Sequence, residues 1–217
     1  MTVLVRRGRR DVGIAVAAVT ATALCCLAAA PGRVGPVERW VFRYVNGWPD
    51  AWQGTLWLFQ LPGVLGMPLL VAVPAALLGR WRLTVALTAL VPLKLLVERD
   101  VLKGLVQRER PGTTIPGAVL RDVPSAGLSF PSGHAMIAFG IAVLVSPYLR
   151  RRWQVLAFAV AVLNSVARVY LGGHAPLDVL GGGAAGVTLG ALLLVVGAPV
   201  RGGAPTSTAT CRSASRG

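Results

Sequence analysis

The sequence predicts an all-α fold, a polytopic membrane helix bundle of about six transmembrane helices, and three observations carry that prediction. First, 54% of the 217 residues are hydrophobic, and mean hydropathy is +0.65. Six spans of about 20 residues need about 120 apolar positions, close to what that fraction supplies, and a soluble domain of this length has too little interior to hide them. Second, the apolar residues fall in runs of about membrane-spanning length. Third, the charges fall between those runs. The net charge of +14, from 22 Lys and Arg against 8 Asp and Glu, would suit a nucleic-acid binder if it covered a polar face. Here the cations form short clusters at the ends of apolar runs, where orientation signals and phosphate ligands belong, so no nucleic-acid partner is expected. The same composition excludes a disordered chain, a collagen-like chain and a disulfide scaffold.

Windows of about 19 residues place spans near 12–30, 55–78, 83–102, 133–149, 153–171 and 177–198. The first run follows VRRGRRD and ends AAAPG, as a secretory signal can. It is longer than a usual signal core, and keeping it gives an even number of helices, so it is read as a retained helix. Residues 34–53 are too polar to span. Val37, Trp40, Val41, Tyr44 and Val45 fall on one helical face, and with Trp48 and Trp52 they suit a helix lying on the outer leaflet. Lys94 and Glu98, four residues apart in the third span, read as an intramembrane ion pair. Trp57, Trp81 and Trp153 read as interface anchors. Residues 1–200 form a single transmembrane domain in this reading, and 201–217 a short, polar, disordered cytoplasmic tail. Cys25 and Cys26 are adjacent and Cys211 lies in the tail, so neither a disulfide framework nor a zinc or redox motif is present.

With a cytoplasmic N-terminus, the inner segments hold 12 Lys and Arg and the outer segments nine, with Lys94 inside a span. Three of the outer nine belong to the polar blocks described next. The bias places both termini in the cytoplasm.

Three polar blocks interrupt the apolar chain, and all fall on one side of the membrane whichever way it inserts. Lys103 and Arg110-Pro111 follow the third span. Pro131-Ser132-Gly133-His134 opens the fourth. Arg168 closes the fifth, and His174 and Asp178 open the sixth. Lys103, Arg110 and Arg168 supply cationic donors suited to a tetrahedral oxyanion. Ser132 is placed to cap a helix, and Gly133 lets backbone N–H groups approach an anion where the helix dipole also helps. One turn brings Asp178 within reach of His174, so the carboxylate can accept from one ring nitrogen and leave the other as a nucleophile. The chain's two histidines, His134 and His174, both sit in this layer. The residue types describe a two-histidine phosphoryl-transfer site without a metal ligand set.

KGLVQRERP reads K-x6-R-P, FPSGH supplies P-S-G-H, and ARVYLGGHAPLD reads R-x5-H-x3-D. In order and spacing these three blocks resemble the signature of the type 2 phosphatidic acid phosphatase family, in the acid phosphatase and haloperoxidase superfamily. The resemblance runs from 103 to 178. It departs at Ala167, where the family's third block often has Ser before the Arg.

The resemblance implies a catalytic set of His174 as nucleophile, forming a phosphohistidine, with Asp178 orienting its ring and His134 protonating the leaving group before helping to activate water. It implies that Lys103, Arg110, Ser132, Gly133 and Arg168 bind the substrate phosphate, with no metal and no cofactor. The implied protein is a multi-pass lipid phosphatase of the cell membrane, active on the extracytoplasmic face. Its partners are the bilayer and a lipid phosphate such as undecaprenyl diphosphate, phosphatidic acid or phosphatidylglycerol phosphate. A lipid phosphotransferase using the same phosphohistidine is the alternative enzyme, and a lipid-phosphate transporter the alternative outside enzymes. A transporter would spread polar residues through the membrane depth, whereas only Lys94 and Glu98 go deeper here. The haloperoxidase relatives are soluble, unlike this chain. The 112–130 loop is expected to roof the site. Arg108, Glu109, Arg121 and Asp122 read as solvated loop charges, with Arg108 in reach of a second phosphate.

Overall fold

The computed structural model describes residues 9–197; the 201–217 tail, Cys211, Arg6 and Arg7 lie outside the described residues. The helices are α1 (Arg9–Ala29), α2 (Pro36–Asn46), α3 (Gln53–Leu58), α4 (Met67–Leu77), α5 (Trp81–Leu95), α6 (Lys103–Leu105), α7 (Pro111–Thr114), α8 (Gly133–Val145), α9 (Arg151–Tyr170) and α10 (Pro176–Val196). A π-helical stretch, Leu96–Leu102, joins α5 to α6 without a break. Among the described residues the only extended pairing is an isolated antiparallel bridge between Glu109 and Leu128.

The architecture is a polytopic helix bundle built around α10, which packs on α1 and α8; α5 packs on α4 and α8, and α9 lies along α8. Small residues allow the central contact. Gly186 faces the Met136 backbone, and a Cβ on Gly190 would lie 2.8 Å from that of Val143. Glycine at such positions lets helix backbones approach where lipid supplies no hydrophobic drive. A core of Leu83, Leu87, Leu90, Met136, Leu144 and Leu189 fills the space between α5, α8 and α10.

Among the described residues, three helices are long and apolar enough to cross a membrane: Val12–Ala29, Arg151–Tyr170 and Pro176–Val196. Met67–Leu77 and Gly133–Tyr148 are shorter apolar helices. The span expected over 55–78 is not one helix. It divides into α3, a 3₁₀ turn at Leu61–Gly63, and α4. Pro62 lacks a backbone donor, and Gly63 and Gly66 add to the break, which a hydropathy window does not register. The break turns Gln60 inward, where it is 9% exposed and accepts from the Arg168 guanidinium.

Helix α2 is amphipathic as its periodicity predicts. It buries Phe42 and Asn46 and leaves Trp40 and Tyr44 outward, their rings stacked at 6.0 Å. Asn46 ties the helix to the loop above the bundle. Its Nδ2 donates to the carbonyls of Val119 and Tyr170, each at 2.8 Å, and its Oδ1 accepts from the Val119 N–H at 2.9 Å.

Arg121 corrects the reading of it as a solvated loop charge. It is 7% exposed. Its Nη1 donates to the carbonyls of Asn46 (2.9 Å) and Tyr170 (2.8 Å), and its Nη2 to Asp50 Oδ1 at 2.8 Å. Asn46 and Tyr170 end α2 and α9, so Arg121 serves carbonyls that have no partner within their own helices. Glu109 and Asp122 are exposed, as expected.

Candidate functional site

The three sequence blocks meet at one end of α8 and α10, where direct contacts link them. The tight turn between α9 and α10 carries His174. Gly172 turns at φ +82°, and a Cβ there would strike the Val119 carbonyl, so this position demands glycine. Two arginines hold the turn, Arg110 through its side chain and Arg168 through its backbone carbonyl. Arg110 Nη1 donates to the Gly173 carbonyl at 2.9 Å, while the Arg168 carbonyl accepts from the N–H groups of Gly173 (3.1 Å) and His174 (3.3 Å). The Arg168 guanidinium lies 2.7 Å from where a Gly173 Cβ would be.

His174 is 3% exposed and Asp178 fully buried. The expected direct bond between them is absent, since His174 Nδ1 and Asp178 Oδ2 are 3.9 Å apart. Ser129 stands between them. Its hydroxyl donates to Asp178 Oδ2, and its Oγ lies 3.3 Å from His174 Nδ1. Because the Ser129 proton points to the carboxylate, Oγ faces the ring as an acceptor. This accounting puts a proton on Nδ1 and leaves Nε2 with its lone pair. Asp178 Oδ2 also accepts from the Ala175 N–H at 2.7 Å, which caps the start of α10.

Arg108, read from sequence as a loop charge, is fully buried. Its Nη2 donates to Glu38 Oε2 at 2.5 Å, and its Nη1 lies 3.4 Å from Asp178 Oδ1. Glu38 Oε1 accepts from the Leu177 N–H at 2.8 Å. Helix α2 is thereby joined to the carboxylate behind His174. A desolvated carboxylate and guanidinium need such partners.

Ser132 is the residue preceding α8, as predicted, but its hydroxyl makes no capping bond. Its backbone N–H donates to the Asp178 carbonyl at 2.9 Å, which holds the start of α8 against α10. Its Oγ is buried and has no hydrogen-bond partner among the described residues, and the same holds for Arg168 Nε. Gly133 begins α8 and His134 follows it, half-buried against Gly63. Lys103 Nζ donates to Glu98 Oε1 at 2.7 Å, and Lys94 is in ion contact with the same carboxylate, as its spacing predicts.

The electrostatics favour a neutral His174. Burial pushes its pKa well below the ordinary imidazole value, and the charges of Arg168 and Arg110 push the same way. Burial also lowers Arg110, which Asp178 and Glu98 partly offset. Among the described residues, no three or more His, Cys, Asp and Glu side chains gather as a metal-binding group. The cationic layer and α8's N-terminus are suited to an oxyanion.

The sequence profile of the PAP2 superfamily matches residues 80–200, more than half of the chain. The chain belongs to the PAP2 superfamily. Similar proteins include the lipid A 4'-phosphatase of Bacteroides thetaiotaomicron, 30% identical over an alignment of 133 residues that covers 55% of this chain and 58% of that protein. The undecaprenyl-diphosphatase of Sulfolobus acidocaldarius is 38% identical over 87 residues, 38% of this chain and 40% of that protein. The chain thus spans about half the length of these curated relatives. The crystal structure of a transmembrane PAP2 type phosphatidylglycerolphosphate phosphatase from Bacillus subtilis superposes with a TM-score of 0.69 at 24% identity, covering 84% of this chain and 94% of that one. That likeness is one of fold. Ala167, where the PAP2 pattern often has serine, is fully buried against Leu56, Tyr170 and Leu171.

Sequence reasoning missed Ser129, Glu38 and Gln60, and it read Arg108 as a solvated charge where the structure buries it. Ser129 lies three residues before Ser132 and carries no spacing signal of its own. Glu38 was hidden in a helix read for its aromatic face. Only a fully apolar neighbourhood around Arg108 would have marked its burial, and QRER offers the opposite.

Proposed function

We propose that the protein is a membrane phosphatase that removes phosphate from a lipid phosphate or diphosphate through a phosphohistidine, at the extracytoplasmic surface. One observation carries the reading. Nδ1 of His174 is engaged by Ser129, itself bonded to Asp178, so Nε2 is the free nucleophile within a layer of cations. Partnerless buried donors, Ser132 Oγ and Arg168 Nε, support a phosphoryl group in that layer.

In this reading His174 Nε2 attacks phosphorus as the bond to the leaving oxygen breaks, and His134 gives that oxygen its proton. Water then attacks the phosphohistidine, the P–N bond breaks, and His134 takes the water's proton as inorganic phosphate leaves. Lys103, Arg110, Arg168, Ser132 and the Gly133 amide stabilise the equatorial oxygens throughout. The site lies at the ends of α8 and α10, so a lipid can present its phosphate there while its chains stay in the bilayer. The similar proteins are named for three different lipid phosphates, which supports the substrate class and leaves the lipid to be chosen by assay.

The test is phosphate release by purified protein in detergent with excess EDTA, offering undecaprenyl diphosphate, phosphatidic acid and phosphatidylglycerol phosphate. Release that survives the chelator and disappears in His174→Ala is expected, and the kcat/KM values rank the lipids. Folded protein that releases nothing from any of them contradicts the hydrolase. Transfer of the phosphate to an added lipid alcohol would then identify a phosphotransferase.

A further inference from the structure

Lys94 and Glu98 are buried, 8% and 6% exposed, and the reaction outlined above uses neither. Glu98 Oε1 accepts from Lys103 Nζ, while Oε2, in ion contact with Lys94, is buried and receives no aligned hydrogen bond. The group lies against the first residue of α8. A Cβ on Gly133 would sit 2.7 Å from Glu98 Oε2 and 2.8 Å from Lys94 Nζ. Any larger residue at 133 would therefore drive the pair away from the helix N-terminus. The π-helical stretch Leu96–Leu102 carries Glu98 there, and such bulges are frequent at functional sites.

An ion pair spaced i, i+4 accounts for Lys94 and Glu98 but not for the third member or for its position. Two lysines, Lys94 buried and Lys103 partly exposed, share one buried carboxylate, which leaves the group with an excess positive charge that an anion would offset. The carboxylate also stands at a helix N-terminus, a place that favours any anion. Glu98 and a phosphoryl group thus claim the same donors.

We propose that Lys94 is a further phosphoryl-binding residue, and that Glu98 competes with the phosphoryl group for Lys94, Lys103 and the α8 N-terminus. The proposal rests on the phosphatase reading and deepens it. A phosphate entering the site takes Lys103 from Glu98, because two anions cannot share one ammonium without strong repulsion. The competing carboxylate weakens the hold on inorganic phosphate and so aids its departure.

The experiment is thermal denaturation of the full chain in detergent, titrated with inorganic phosphate, which reads binding without turnover. Glu98→Gln keeps the shape and removes the competing charge, and its apparent Kd for phosphate should fall about tenfold. Lys94→Gln should raise that Kd about tenfold, and should do so again in the Glu98→Gln background. The second result separates a ligand from a mere counter-ion to Glu98, which would have no effect once Glu98 is neutral. A phosphate affinity unchanged or weakened in folded Glu98→Gln overturns the competition. If that variant does not fold, unchanged affinity in Lys94→Gln overturns the proposal by itself. Phosphate that stabilises neither the wild-type chain nor folded Glu98→Gln overturns this inference, whereas the phosphatase reading falls only if the release assay above also fails. A wild-type shift insensitive to both substitutions overturns this inference alone.

Discussion

Ser129 Oγ lies 3.3 Å from His174 Nδ1 and couples the ring to the Asp178 carboxylate, which is too far to hold it directly. Removing the hydroxyl strands the buried Nδ1 proton and leaves Asp178 Oδ2 with the Ala175 N–H alone. Ser129→Ala should lower kcat about 10- to 100-fold and leave KM within about twofold, because ring orientation matters at bond formation more than at binding. Ser129→Thr keeps a hydroxyl and should recover most of the rate. Steady-state kinetics of both variants check this, and a loss carried by KM alone contradicts the coupling.

Protonation of His174 sets a second expectation. Its pKa is lowered by burial first and then by neighbouring cations, so the neutral ring, the form the proposed attack requires, persists below the ordinary imidazole value of about 6.5. The acid limb of kcat/KM should therefore fall below pH 6.5. Stability follows by linkage. Between the folded pKa and about 6.5 the unfolded chain binds the proton and the folded chain does not, so stability rises with pH through that window and drops on acidification. Tm measured from pH 7.5 down to 5 should decline, and His174→Gln should flatten part of the slope. An acid limb at or above pH 6.5 sinks the argument.

Much of the bundle and of the site is legible in the sequence because apolar run length, interfacial aromatics and short motifs are local signals. Arg110, Ser132, Gly133, Arg168, His174 and Asp178 lie together at one end of α8 and α10, and Lys103 reaches them through Glu98. The rest depends on contacts across long sequence distances. Ser129 reaches His174 across 45 residues, and Arg108 reaches Glu38 across 70. No periodicity records such pairs. Arg121 misleads for a related reason. Its loop is polar, but the C-terminal carbonyls of α2 and α9 draw it inward. The broken helix over 55–78 was foreshadowed by Pro62 and Gly63, which a hydropathy average passes over.

Arg108 should matter for stability more than its loop position suggests. It is fully buried between Glu38 and Asp178, and removing one partner of a buried ion pair leaves the other charges uncompensated. Arg108→Met should cost about 3–5 kcal/mol. Glu38→Gln should cost less, since the amide oxygen can still accept from Leu177. Denaturation of the two single variants and the double variant in detergent gives the coupling directly, and additive losses would show that the pair is independent.

Asp178→Asn tests whether charge or shape serves His174. Oδ2 accepts from the Ala175 N–H and from Ser129, and Oδ1 faces Arg108 Nη1 at 3.4 Å. The amide oxygen of asparagine can keep the first two bonds, so α10 should start where it does now. Its NH₂ must then face the Arg108 guanidinium, donor against donor, and the negative charge that favours a positive ring during attack is gone. With the oxygen turned to Arg108 instead, the NH₂ meets the Ala175 N–H and Ser129, whose hydroxyl must reverse and point at His174 Nδ1. That reversal would put the proton on Nε2 and remove the nucleophile. Either orientation impairs His174, so kcat should fall by about 10²–10⁴ while circular dichroism keeps its helical signal. The phosphohistidine, trapped by rapid acid-free quenching and read by phosphorus NMR, should form more slowly in proportion. Near-normal turnover in a folded Asp178→Asn chain would remove the carboxylate from the mechanism and leave Ser129 as the ring's sole support.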